Sequence, residues 1–283
     1  MKLQTKQLDN QQVKDLFPAW THTKQDRDLI MTHDLDSVLA CTILHYQDGY
    51  NINAYASFHE GIGLIERENA KKLIGVDFAM TGEKLCWDNH VTGLDANSHF
   101  NPNSANLNTI FKINAQTGGT YCKKMAFSTS LQVWAFYNLE LPKSDEGKML
   151  LLSIDSAYMG FYNDFFKPTW IKWMKILGLD ELIDFCERHT KHDFEQFKKQ
   201  YSENLKFENG FVTYDEQSRN FVEAIFGFKL YIPEEKFRLL FPITEHSSSK
   251  DRLHDISRDE SILCYAVTSK NFVKYSVLNS KTN

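Results

Sequence analysis

The chain has 283 residues, enough for one large domain or two modest ones, and its 42% hydrophobic and 24% charged content is that of a globular protein. Its 37 acidic and 32 basic residues leave a net charge of −5, which disfavours long nucleic acid as a partner and favours a small or short anionic substrate. No uncharged apolar run is long enough for a membrane helix, and the polar start MKLQTKQLDNQQVKDLF has no secretory leader's apolar stretch.

The five cysteines (Cys41, Cys86, Cys122, Cys186 and Cys264) are scattered, with no CxxC pair. Free thiols in a reducing cytoplasm are therefore expected, not a zinc knuckle or a disulfide framework.

Along the chain, Gln12 to Trp20 reads as a short amphipathic helix broken near Pro18. Leu29 to Thr32 reads as a buried strand, and Ser37 to Tyr46 as a helix stopped by the turn QDGYN. INAYASF at 52–58 is strand-like, and KLIGV at 72–76 and KLCW at 84–87 are further short apolar runs. The Asn-rich stretch NHVTGLDANSHFNPNSANLN reads as a loop. Thr120 to Leu139 suits one long helix, with Gly118 and Gly119 before it. MLLLSI at 149–154 reads as the clearest buried strand of the chain. Helices are expected at 165–177, 179–188, 192–201 and 216–228, a linker at ENLKFENG, and two closing strands within 261–277. The alternation of strands and helices predicts an α/β fold, a mainly parallel sheet flanked by helices over 1–205, with a smaller C-terminal α+β unit over 206–283.

The acids are the informative feature. LIMT runs into Asp34 and Asp36, LIGV into Asp77, KLCW into Asp88, Asn89 and His90, and MLLLSI into Asp155. In an open α/β sheet ligands bind outside the carboxyl ends of the parallel strands, so adjacent strands would bring these groups into one crevice. Packed carboxylates repel one another unless a cation intervenes. Oxygen donors with one or two imidazoles suit Mn2+ or Mg2+ better than Zn2+, and two such ions can clamp a phosphoryl group and activate water. The competing reading for each Asp singly is a helix N-cap.

The order of the pieces HDLDSVLA, GVDFAM, CWDNHVT and LLLSIDSAYMGF resembles the DHH phosphoesterase superfamily over roughly residues 25 to 165. The resemblance implies that Asp34, Asp36, Asp77 and Asp155 ligate one or two metal ions, with Asp77 a candidate bridge. It implies that the DNH triplet supplies Asn89 where a ligating His is usual and His90 where the substrate phosphate is met. His33 and Asp88 stand beside these motifs as further catalytic candidates. Ser37 replaces the usual Gly, and the glycine-rich, His-containing C-terminal loop of many relatives has no counterpart here.

Other features are weighed in pairs. Gly118 and Gly119, before Thr120, Lys123 and Lys124, are either a phosphate cradle or a turn. FYNDFFKPTWIKWMKI is either a base-stacking surface or, with Trp170 and Trp173, core. Arg252, within HSSSKDRLHD, is a candidate phosphate contact in a polar segment; His59, Glu60 and His99 lie in probable-loop sequence near strand ends, and His189 and His192 are assigned no role. The expectation is a cytoplasmic metal-dependent phosphoesterase acting on a nucleotide, cyclic dinucleotide or short oligonucleotide. Its alternative is a catalytically impaired DHH-like protein that binds nucleotide or protein. An oligomer is compatible with either.

Overall fold

Leu29, Ile30 and Met31 are buried to within 1% of complete, so β1 (Asp28–Met31) has no solvent face and must lie inside a covered sheet. A computed structural model, describing residues 8–57, 61–65, 71–116, 120–249, 261–269 and 271–278, shows how it is covered. After α1 (Asn10–Lys14) and β1, α2 (Leu35–Asp48) returns the chain to β2 (Ile52–Ser57), which pairs parallel to β1. Then β3 (Gly61–Ile65) runs back antiparallel, while β4 (Leu73–Val76) pairs parallel on the other side of β1. From there β5 (Cys86–Trp87) and β6 (Ser104–Ala105) extend the parallel set.

The helices α3 (Leu107–Ile110), α4 (Thr129–Phe136), α5 (Asp145–Ser153), α6 (Met159–Tyr162), α7 (Lys167–Ile176), α8 (Glu181–Arg188) and α9 (Lys191–Phe197) follow. A small hairpin, β7 (Lys206–Glu208) with β8 (Phe211–Thr213), leads to α10 (Glu216–Phe226). Next, β9 (Phe237–Phe241) completes the main sheet, whose order is β6-β5-β4-β1-β2-β3-β9. β10 (Ile243–Ser249), β11 (Ile262–Ser269) and β12 (Phe272–Leu278) form a separate antiparallel sheet ordered β10-β12-β11. The expected mainly parallel sheet with helices and a small C-terminal unit is therefore present. Leu205, Val212, Val222, Leu230, Ile232 and Phe237 belong to the same core cluster as Leu29 and Trp170.

Strand alternation divides the packing. Leu29 and Met31 join the core that α2, α4, α5 and α7 build, whereas Ile30, Ala54 and Ala56 pack against Ile243, Leu263 and Cys264 of the C-terminal sheet. Four expectations fail locally. MLLLSI is not a strand but the body of α5, capped by Ser144, with Asp145 and Glu146 in its first turn. It is apolar because it is buried all round, and burial alone does not separate strand from helix. The region 120–139 is a short 3-10 turn at Tyr121–Lys123 and then α4, which begins only where Ser128 caps it. ENLKFENG contains β7, and the Asn-rich stretch holds β6 and the start of α3. Trp170 and Trp173 are 0% and 4% exposed and belong to the core.

Candidate metal and phosphate site

The chain leaves β1 for β2 on one side and returns to β4 on the other, so β1 and β4 flank the switch point of the parallel strands. Crevices open at such points beyond the carboxyl strand ends. Thr32, His33 and Asp34 follow β1 there, Asp77 follows β4, and Asp88, Asn89 and His90 follow β5.

Each acid is held differently. Asp34 caps α2, its Oδ1 accepting from Ser37 N at 3.0 Å. Asp36, in the first turn of α2, reaches across to the start of α4: Oδ2 accepts from Thr129 N at 2.8 Å and Oδ1 from Ser130 N at 2.7 Å. Asp77 Oδ1 accepts from Thr129 Oγ1 at 2.8 Å. Asp88 is fully buried and turns its carboxylate onto His90, with Oδ2 accepting from the His90 backbone N at 2.9 Å and Oδ1 lying 2.8 Å from Nδ1. Asn106 Nδ2 also donates to Asp88 Oδ2, at 2.7 Å. Asp155 follows a helix, not a strand, yet still arrives beside the others, in the turn between α5 and α6.

Among the described residues, Asp77, Asp88 and His90 offer ligand atoms that all lie within 4.8 Å of one another. Asp34, Asp36 and Asp155 stand outside that tight set but inside its field. Burial first, then the charges of Asp155 and Asp34, push the Asp36 carboxyl up to about 8. Burial and the neighbouring Asp34 and Asp36 likewise drive Asp77 well above the ordinary carboxylate range, against the pull of His90. The protein gathered around Asp155 raises it too, although the residue is exposed at a cavity mouth, with His90, Lys124 and Lys198 opposing. Burial alone would lower the His90 imidazole; Asp88, Asp77 and Asp155 outweigh that and hold it well above the usual histidine range.

Backbone strain accompanies the charge. Asp77 and Asp155 take left-handed φ values of 55° and 48°, and Ser156 one of 55°. Aspartate tolerates that region better than most residues, and such strain gathers at ligand-binding positions.

Asn89 is committed to the scaffold. Its Nδ2 donates to the carbonyls of Met125, at 3.0 Å, and Phe127, and its Oδ1 accepts from Asn108 Nδ2 at 3.2 Å. His33 lines the same cavity as Asp34, Asp77 and His90. Gly118, Gly119 and Arg252, together with His59 and Glu60, fall outside the described residues. His189 bonds the carbonyl of Phe185, and no role at the crevice attaches to it.

Several contributors carry no sequence signal of their own. Thr129 joins Asp36 to Asp77, and Gln132 Nε2 bonds the carbonyls of Asp88 and Ala105. Glu203, within the expected linker, lies in the field of Asp155 and Asp34; burial and those charges raise its carboxyl, while Lys198, 3.1 Å away, counters them. The C-terminal sheet closes the crevice. Thr81 donates to the carbonyls of Ile262 and Leu263, Tyr265 N donates to Ala79 O, and Val267 N to Val91 O. These bonds pin the loops that carry Asp77 and His90.

Two cavities meet at His90 and Thr268. One, of about 260 Å3, is lined by Thr32, His33, Asp34, Phe78, Tyr265 and Tyr275 among others. The second, of about 430 Å3, is lined by Lys124, Asp155, Ser156, Asn163 and Phe166 among others. No helix among the described residues is long and apolar enough to cross a membrane. No family model, curated protein or solved structure matches the chain.

Proposed function

We propose that the chain is a divalent-cation-dependent phosphoesterase acting on a nucleotide, cyclic dinucleotide or short oligonucleotide. The observation that carries this reading is the gathering of Asp36, Asp77 and Asp155 at a switch-point crevice where each carboxyl is driven upward by burial and by its neighbours. A cation removes that conflict. Oxygen donors fit Mn2+ or Mg2+, with Asp77 and Asp88 nearest, Asp34, Asp36 and Asp155 around them and His90 beside the set. When bound, such an ion polarises a phosphoryl oxygen and makes a water molecule more acidic.

The chain's own groups do the rest. Asp88 fixes the His90 ring through Nδ1, leaving Nε2 to meet a phosphoryl or leaving-group oxygen. Asp88, Asp77 and Asp155 hold the imidazole above the usual histidine range, which suits it to carry a proton to that oxygen. Thr32 Oγ1 lacks a hydrogen-bond partner among the described residues although the residue is 2% exposed, and it lines the same cavity, as a group reserved for a ligand would.

The test is a Mn2+-supplemented assay against p-nitrophenyl diester, cyclic dinucleotides and short labelled RNA and DNA, with elemental analysis of the purified protein. Asp77→Asn runs beside it, since asparagine accepts the left-handed backbone and keeps an oxygen for Thr129. Turnover that vanishes in the variant supports the reading; no turnover and no bound metal overturns it. A nucleotide-binding module is the second reading, favoured by one observation: both oxygens of Asp36 and both polar atoms of Asn89 are already used by the scaffold. Ligand-induced stabilisation without product would identify it.

A further inference from the structure

The two cavities flanking His90 differ in the charge they present. On the 260 Å3 side the walls are Phe78, Tyr265 and Tyr275, and the cation there, Lys274, is paired to Glu245 at 2.8 Å. On the 430 Å3 side stands Lys124, half-buried, with no carboxylate within 4.0 Å of its ammonium among the described residues. Asp155 lines the same cavity and feels this charge, but makes no ion pair with it, and aromatic rings set the ammonium's position. The ammonium lies 4.9 Å from the ring centre of Tyr121 and 5.0 Å from that of Phe166, and donates to Tyr121 Oη at 3.4 Å. Two aromatic faces thus hold a full positive charge at the wall of a cavity that also reaches His90. Lys198 is nearby but already spent on Glu203 and Ser156 Oγ.

We infer that Lys124 is a specificity-determining residue that receives a second phosphoryl group of the substrate, on the side of His90 away from Phe78, Tyr265 and Tyr275. The inference rests on the phosphoesterase reading above. A phosphate attacked at His90 would place one flank against the aromatic wall and the other in the cationic cavity. An anion on that second flank finds an ammonium free of any ion pair among the described residues, and a neutral group there forgoes it.

The experiment compares two chromogenic diesters, thymidine 5′-(p-nitrophenyl phosphate) with and without a 3′-phosphate, in Mn2+. The wild-type protein is expected to favour the 3′-phosphorylated ester about tenfold in kcat/KM, mostly through KM. Lys124→Met brings the ratio of the two esters close to one, and Lys124→Arg retains most of the preference. Lys172→Met, on the exposed face of α7, leaves the ratio unchanged. No preference in the wild type, or a preference that survives Lys124→Met, overturns the inference. If neither ester is hydrolysed, the wider substrate panel decides the phosphoesterase reading and titration calorimetry with thymidine 3′,5′-bisphosphate decides the subsite separately. Binding that weakens about tenfold in Lys124→Met upholds it; absent or equal binding removes it as well.

Discussion

Replacing Asp36 by asparagine sets two opposing effects against each other, and pH decides which wins. The carboxyl rises from 3.8 to about 8 on folding, so the folded chain holds a proton that the unfolded chain has released. Metal-free stability therefore declines as pH rises from about 4 towards 8. At 1.36 kcal/mol per pKa unit the full penalty at pH 8 is about 6 kcal/mol. Burial is the largest cause and the charges of Asp155 and Asp34 add to it; allowing about half for the shared titration leaves about 3 kcal/mol for Asp36. At pH 5 the same reasoning leaves under about 1 kcal/mol. Asparagine escapes this cost but can accept only one of the two N–H groups at the start of α4, and leaving the other buried without its acceptor costs about 2 kcal/mol. Asp36→Asn should therefore be about 1 kcal/mol less stable than the wild type at pH 5 and about 1 kcal/mol more stable at pH 8, roughly 2 °C in Tm. Urea unfolding in EDTA, followed by tryptophan fluorescence at the two pH values, measures both. A change of the same sign at both would refute the account of Asp36.

Three further expectations concern the scaffold. Gly160→Ala would bring a methyl group to 2.2 Å from Trp170 Cδ1 and 2.7 Å from the Ala126 carbonyl, and should cost about 3 kcal/mol by thermal unfolding with the Trp170 emission shifted. Glu223, 5% exposed, takes Arg219 Nε at 2.9 Å, Lys229 Nζ at 2.6 Å and Leu230 N at 3.0 Å. Despite burial, these donors hold its carboxyl below the usual range. Glu223→Gln should thus cost about 2 kcal/mol at pH 7, with the deficit fading as acid protonates the wild-type carboxylate below the ordinary glutamate range. Thr81→Val removes the hydroxyl that bonds Ile262 and Leu263; amide exchange should quicken in β11 while α2 stays protected.

The convergence at the crevice was legible because strand ends announce themselves: short apolar runs stop on Asp, and parallel pairing of β1, β4 and β5 carries Asp34, Asp77 and Asp88 to one edge. Asp155 was located for the wrong local reason. MLLLSI has no polar residue at a spacing that would separate a period of two from one of 3.6, and only Ser144-Asp145-Glu146 before it marks a helix start. GIGLI and FRLLF, which form β3 and β9, give weak strand signals because glycine weakens the first and the second pairs with β3, far back in the chain. The supports of the site were invisible for another reason. Asn106, Asn108, Thr129 and Gln132 act through hydrogen bonds to residues distant in sequence, and side chains of these types are common in any exposed loop.

The closure of the crevice by β11 also bears on the order in which the protein can become competent. Asp34, Asp77 and His90 leave the ribosome early, but the strand that pins their loops through Ala79, Thr81 and Val91 follows roughly 180 residues later, some 10–35 s at ordinary elongation rates. During that interval the acids stand at the end of an incomplete sheet whose β3 edge still awaits β9. A nascent chain of this kind has its charged cluster open to water, where repulsion is weak and any cation exchanges freely. The burial that β11 adds, and with it the selectivity proposed for an ion, begins only when synthesis passes residue 268.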